Sequence, residues 1–217
     1  MKRENKRKLW VSLSSFAAFA VWTVLILFVD RAAIGPRGSY VGFSTMNEFV
    51  HSLFGVHMGL YNVTDWLGLV PIAIAFAFAV LGFVQMVKRR SLLKVDRSIL
   101  ALGGFYLFVI FFYFLFEEIT VNFRPILIDG CLETSYPSST TLLTMCVMPS
   151  AIMQLNTRIK GDRVRRFITV LFTSFTAFMV IGRLVSGVHW FSDIIGGALL
   201  SLGLVMLYNF VSDILDN

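Results

Sequence analysis

Near the C-terminal end of the chain a histidine and an aspartate stand at i, i+4, shortly after an arginine: Gly182-Arg183, five residues, His189, three residues, Asp193. On a helix that spacing puts His189 and Asp193 on one face. A carboxylate placed there can accept the Nδ1 proton of the imidazole and leave Nε2 free as a nucleophile or base. Arg183 adds a planar cationic fork that matches phosphate oxygens. Taken alone, His189 and Asp193 read equally well as a cap on the sixth span at the interface. Two more polar clusters stand upstream. Asn122-Phe123-Arg124-Pro125 supplies a second cation, which by itself is also what an arginine snorkelling to an interface looks like. Tyr136-Pro137-Ser138-Ser139-Thr140-Thr141 supplies hydroxyls at a helix start. Ser138 suits an N-cap there, and the free N–H groups and dipole of such a helix end also suit an anion. Two arginines, a hydroxyl-rich helix start and a His–Asp pair together describe a site for a phosphoryl group.

These clusters need elements that bring them together. Of the 217 residues, 57% are hydrophobic and 15% charged, with mean hydropathy +0.76. A water-soluble domain of this length needs a more polar surface. Runs such as Phe105–Phe116 are apolar on every helical face, and several such runs separated by basic clusters point to lipid. The sequence predicts an all-α integral membrane bundle, one domain over residues 1–217. Its six transmembrane helices fall near Leu9–Val29, Trp66–Val87, Ser98–Phe116, Ser139–Leu155, Phe167–Ile181 and Trp190–Val211. The first apolar run is too long for a signal peptide and lacks a small-residue cleavage site, so it reads as an uncleaved span.

Charge sets the expected orientation. Lys2, Arg3, Lys6, Arg7 and Lys8 precede the first span. Lys88, Arg89, Arg90, Lys94 and Arg97 follow the second, and Arg158, Lys160, Arg163, Arg165 and Arg166 follow the fourth. They are 15 of the 19 Lys and Arg, and six spans put them on one side. The positive-inside rule makes that side, with both termini, cytoplasmic. All three polar clusters then meet at the outer face of a multi-pass, plasma-membrane protein, with a bacterial cell membrane the expected setting. The net charge of +6 sits in short loops and not on one folded face, so no nucleic-acid partner is expected. Between the first two spans, residues 30–65 form an outer segment. Its part from Ser44 to Leu60 is read either as one helix in the membrane interface or as a re-entrant packing loop. Cys131 and Cys146 are expected as free thiols, and no metal cluster is expected.

The three clusters resemble, in order and on the expected connections, the motifs of the type 2 phosphatidic acid phosphatase family, the membrane relatives of vanadium haloperoxidases. Its motifs are Lys-x6-Arg-Pro, Pro-Ser-Gly-His and Ser-Arg-x5-His-x3-Asp. Arg124-Pro125, Pro137-Ser138 and Arg183-x5-His189-x3-Asp193 match them. The resemblance implies that His189 attacks phosphorus and forms a phosphohistidine, which water then hydrolyses. It implies that Asp193 orients His189, and that Arg183, Arg124 and Ser138, with N–H groups near Ser139 and Thr140, hold the phosphoryl oxygens. No cofactor and no metal are implied.

The sequence departs from that pattern at three places. Glu117 stands where the family has lysine, Ser139-Thr140 stands for Gly-His, and Gly182 stands for serine. The missing histidine is the family's acid for the leaving oxygen, a role worth roughly a hundred- to ten-thousand-fold in rate. His51, His57, Glu117 and Glu118 are candidates to replace it. A diphosphate ester, which leaves as a phosphate monoester, needs that acid less. The expected function is hydrolysis of a lipid mono- or diphosphate, of polyprenyl diphosphate or phosphatidic acid and phosphatidylglycerol phosphate type. The rivals are a non-catalytic lipid-binding or lipid-moving protein and a lipid phosphotransferase.

Overall fold

The computed structural model describes residues 3–215, so Lys2 of the first basic cluster lies outside the described residues. Among the described residues, eight α-helices carry the architecture: α1 Arg3–Phe28, α2 Ser44–Phe54, α3 Met58–Leu67, α4 Leu69–Arg89, α5 Arg97–Glu118, α6 Ser139–Arg158, α7 Asp162–Val185 and α8 Phe191–Leu215. Among the described residues, five helical stretches are long and apolar enough to cross a membrane: α1, α3 running into α4, α5, α7 and α8. This is a multi-pass membrane bundle.

The helix α6 is built differently. Its 20 residues at about 1.5 Å each match the roughly 30 Å of a bilayer core. Yet it buries Thr140, Thr141, Thr144, Ser150 and Gln154. It is enclosed by α4, α5, α7 and α8, so its side chains meet other helices and need not be apolar. The stretch expected as the fourth span, read as the most polar, coincides with this central helix, which is not one of those five. α8 packs against α1, α5 and α6 and completes the core. Tyr136, just before α6, anchors the helix start: it stacks on Phe19 at 6.2 Å, meets Phe116 edge-on at 6.0 Å and pairs its hydroxyl with Thr23 at 2.7 Å.

The basic loops gather at one end of the bundle. There Asp96, the N-cap of α5, joins three helices: it accepts from Gln85 at 2.8 Å, pairs with Arg89 at 2.9 Å and lies 3.8 Å from Arg158. Lys8 of α1 pairs with Asp213 of α8. At the opposite end lie the end of α5, the starts of α6 and α8, and the end of α7. The segment over Ser44–Leu60, read either as one interfacial helix or as a re-entrant loop, contains two helices, because Gly55, at φ +69°, interrupts it.

Candidate active site

The three polar clusters come from separate connections, and the structure brings them into contact. Residues 122–124 and 133–135 pair as two short extended segments: Arg124 N–H donates to Glu133 O at 3.0 Å and Ser135 N–H to Asn122 O at 3.0 Å. Trp190 Nε1–H donates to Phe123 O at 2.7 Å and docks this hairpin on the start of α8. The backbone N–H of Ser138 donates to Asp193 O at 3.1 Å, which ties the start of α6 to α8.

His189 lies in the connection between α7 and α8 and is buried. Its Nδ1 sits 3.2 Å from Ser135 O, and its Nε2 sits 3.3 Å from Nη1 of Arg124. A carbonyl only accepts and a guanidinium only donates. The two contacts together assign the proton to Nδ1 and a lone pair to Nε2. Burial, reinforced by the positive charges of Arg124 and Arg183, holds the pKa of the ring well below its ordinary 6.5. The ring is therefore held neutral, with an unprotonated Nε2.

Asp193 has a different place from the one the motif implies. Its Oδ2 is 3.7 Å from His189 Nδ1, beyond hydrogen-bond distance, and accepts instead from Trp190 N–H at 2.9 Å. Its Oδ1 lies 3.4 Å from Asn122 Nδ2. The carboxylate closes the turn that carries His189, and the direct partner of Nδ1 is the Ser135 carbonyl. Nothing in the sequence flags Ser135, because a backbone acceptor leaves no side-chain signature.

The two arginines are each held by a carboxylate. Arg124 Nε lies 2.9 Å from Glu133 Oε2 as an ion pair without the geometry of a hydrogen bond. Arg183 donates through Nε and Nη2 to Thr140 Oγ1, at 2.9 and 2.7 Å, and through Nη2 to Asp65 Oδ1 at 2.7 Å. Its carbon Cζ lies 5.0 Å from the centre of the Tyr61 ring. Nη1 of Arg183 is buried and has no hydrogen-bond partner among the described residues. Thr140, at the position of the family histidine, thus props Arg183. Ser138 is fully buried and caps α6, accepting from Thr141 Oγ1 at 3.1 Å and from Thr141 N–H at 3.5 Å. Glu133 and Asp65 were not singled out from the sequence; both are acids at loop or helix ends, where chance charges are common.

A cavity of about 340 Å³ opens beside His189. Its polar wall is Glu117, Arg124, Glu133, Ser135 and Ser139; its apolar wall includes Phe112, Phe116 and Leu142. That division suits a charged group carried on a hydrocarbon tail. Of the four acids that could replace the missing histidine, Glu117 lines this cavity. His51 instead approaches Gly187 O at 3.2 Å, His57 approaches Phe54 O at 2.8 Å, and Glu118 is exposed. Gly182 faces α3: a Cβ there would lie 2.7 Å from Thr64 Cγ2, so the serine of the family motif has no room. Cys131 is exposed, Cys146 buried, and both are free thiols.

No family model matches the sequence, and no curated protein matches it. Among solved structures, the crystal structure of a transmembrane PAP2-type phosphatidylglycerolphosphate phosphatase from Bacillus subtilis superposes with a TM-score of 0.55. The match covers 94% of this chain and 96% of that one at 18% identity. The chain has the fold of that membrane phosphatase.

Proposed function

We propose that the protein is a lipid phosphatase of the type 2 phosphatidic acid phosphatase family, working through a phosphohistidine on His189. The observation that carries this reading is the fixed tautomer of His189, with Nε2 unprotonated, buried and next to Arg124 at the edge of a half-polar cavity. Nε2 attacks phosphorus as the bond to the leaving oxygen breaks. Arg124, the free N–H of Arg183 and the start of α6 at Ser139 stabilise the three equatorial oxygens. Glu117 delivers a proton to the leaving oxygen, and water then cleaves the N–P bond to release phosphate. Asp193 and Thr140 hold His189 and Arg183 in place. Ser138 acts through its cap on α6 and not through its hydroxyl.

Counting α6 as a further span makes six in all, and both termini then fall on the basic, cytoplasmic side with the cavity facing outward. The substrate is a lipid mono- or diphosphate. Glu133, ion-paired with Arg124 on the cavity wall, tempers its positive field, so a phosphate ester with a good leaving group is favoured. One observation favours the rival reading of a non-catalytic lipid-binding protein: both arginines already carry carboxylate partners, Glu133 and Asp65.

The deciding experiment is phosphate release by the purified protein from polyprenyl diphosphate, phosphatidic acid and phosphatidylglycerol phosphate, with His189→Ala as control. Release that vanishes in the variant supports the enzyme. Equal release by both proteins sinks the nucleophile, and lipid binding without any release supports the rival.

A further inference from the structure

The segment between α1 and α4 packs on the loop that carries His189. Asn47 of α2 is fully buried: its Nδ2 donates to Ser192 Oγ at 2.9 Å, and its Oδ1 accepts from Ser192 N–H at 3.0 Å. One turn later, His51 Nε2 lies 3.2 Å from Gly187 O, and the His51 ring sits 5.5 Å from the ring of Trp190. At the break between α2 and α3, His57 N–H donates to Ser186 O at 3.0 Å. Gly187 has φ +69°, and a Cβ on it would lie 2.0 Å from Gly55 O. The residues on both sides of His189 are thus gripped by one segment.

The other face of that segment is apolar and exposed: Phe49, Leu53, Phe54, Val56 and Met58. A helix that buries an amide and exposes aromatic and aliphatic side chains is inverted relative to one facing water. The segment runs on into the stretch Met58–Arg89 and is joined to α1 through residues 29–43, and both of those helices are apolar enough to cross a membrane. The medium that satisfies such a face is the boundary between head groups and acyl chains.

We propose that residues 44–58 are a strap seated in the lipid surface whose buried polar face aims the nucleophile, with Asn47 and His51 as positioning residues. Its kinetic consequence rests on the phosphatase reading above; its structural consequence does not. The aim of Nε2 matters because small misplacements of a reacting group cost rate steeply.

The test uses the full chain in lipid nanodiscs. The chain has three histidines, so ¹⁵N-histidine spectra resolve His189 directly. The parent shows the single Nδ1–H tautomer. Asn47→Ala and His51→Phe mix the two tautomers, and His51→Gln, which restores a donor to Gly187 O, recovers one. Folded Asn47→Ala and His51→Phe proteins with an unchanged His189 signal overturn the proposal. A spin label at Leu53→Cys, in a Cys131→Ser background, is relaxed by oxygen in the bilayer; relaxation by a water-soluble nickel complex instead overturns the lipid seat. On a lipid phosphate that the parent hydrolyses, Asn47→Ala lowers kcat by about ten- to a hundredfold at near-constant KM. A parent that hydrolyses none defeats the phosphatase reading, and the tautomer and spin-label results still decide the strap.

Discussion

Nη1 of Arg124 lies 3.3 Å from Nε2 of His189, so the guanidinium covers the lone pair that the ring holds ready. A phosphoryl group has to come between the two. In doing so it replaces one neutral acceptor of Arg124 with anionic oxygens, which suit the two parallel N–H donors of the guanidinium fork. On the proposed phosphatase reading, the arginine that covers this lone pair is also the one that stabilises the charge developing on attack.

That relationship predicts the behaviour of Arg124→Lys. A lysine keeps the charge but loses the planar fork. Loss of one such preorganised donor is expected to lower kcat by about a hundred- to a thousandfold. His189→Ala is expected to abolish both turnover and the phosphoenzyme, read by trapping ³²P-labelled protein. A labelled His189→Ala protein would place the nucleophile elsewhere.

The acid limb of activity is expected below pH 6.5. His189 has its pKa depressed by burial and by the two arginines, so it stays neutral and nucleophilic where an ordinary histidine is charged. The sign for stability follows. The neutral ring's contribution is fully present above the unfolded pKa of about 6.5 and is lost as pH falls toward the lower folded value. A pH–kcat/KM profile and thermal unfolding from pH 8 to 4 check both. Parent kcat/KM that halves already at pH 6.5, with that limb gone in no other histidine variant, would mean the ring is not so shielded.

Glu117→Gln is expected to act according to the leaving group. For a phosphatidic-acid-type monoester, which departs as an alkoxide, loss of the acid costs about a hundred- to ten-thousandfold in kcat. For a polyprenyl diphosphate the loss is much smaller. Equal losses on both substrates would remove Glu117 from proton delivery.

Gly182→Ser restores the family residue and is expected to destabilise the protein by about 1–3 kcal/mol, because its Cβ meets Thr64 Cγ2 at 2.7 Å. Thr64→Ser removes that methyl and is expected to recover most of the loss. Thermal unfolding of the two single variants and the double variant measures the coupling.

Much of the bundle was legible in the chain because a bilayer leaves few options. Residues facing lipid must be apolar around the helix, so α1, α4, α5 and α8 stand out, and one end of α1, α4 and α5 is marked by a basic cluster. The limits of α7 were harder: the apolar run starts at Phe167, while the helix starts at Asp162, since a charged first turn can extend beyond the apolar region. The polar α6 gave the weakest signal. A helix wrapped by others answers to its neighbours and not to lipid, so its composition says little about its depth.

The sequence by itself determined which residue types could do phosphoryl chemistry and that Arg124, His189 and Arg183 belong to one end of the bundle. That much follows from helix count and loop charge. Only the tertiary structure decided the partners. Ser135 O, not Asp193, accepts the hydrogen bond of Nδ1–H; Thr140 supports Arg183; and Glu133 and Asp65 pair with the arginines. Each of these contacts joins residues far apart in the chain or uses a backbone atom. Sequence spacing cannot encode either one, because such distances are set by how the loops fold over the helix ends.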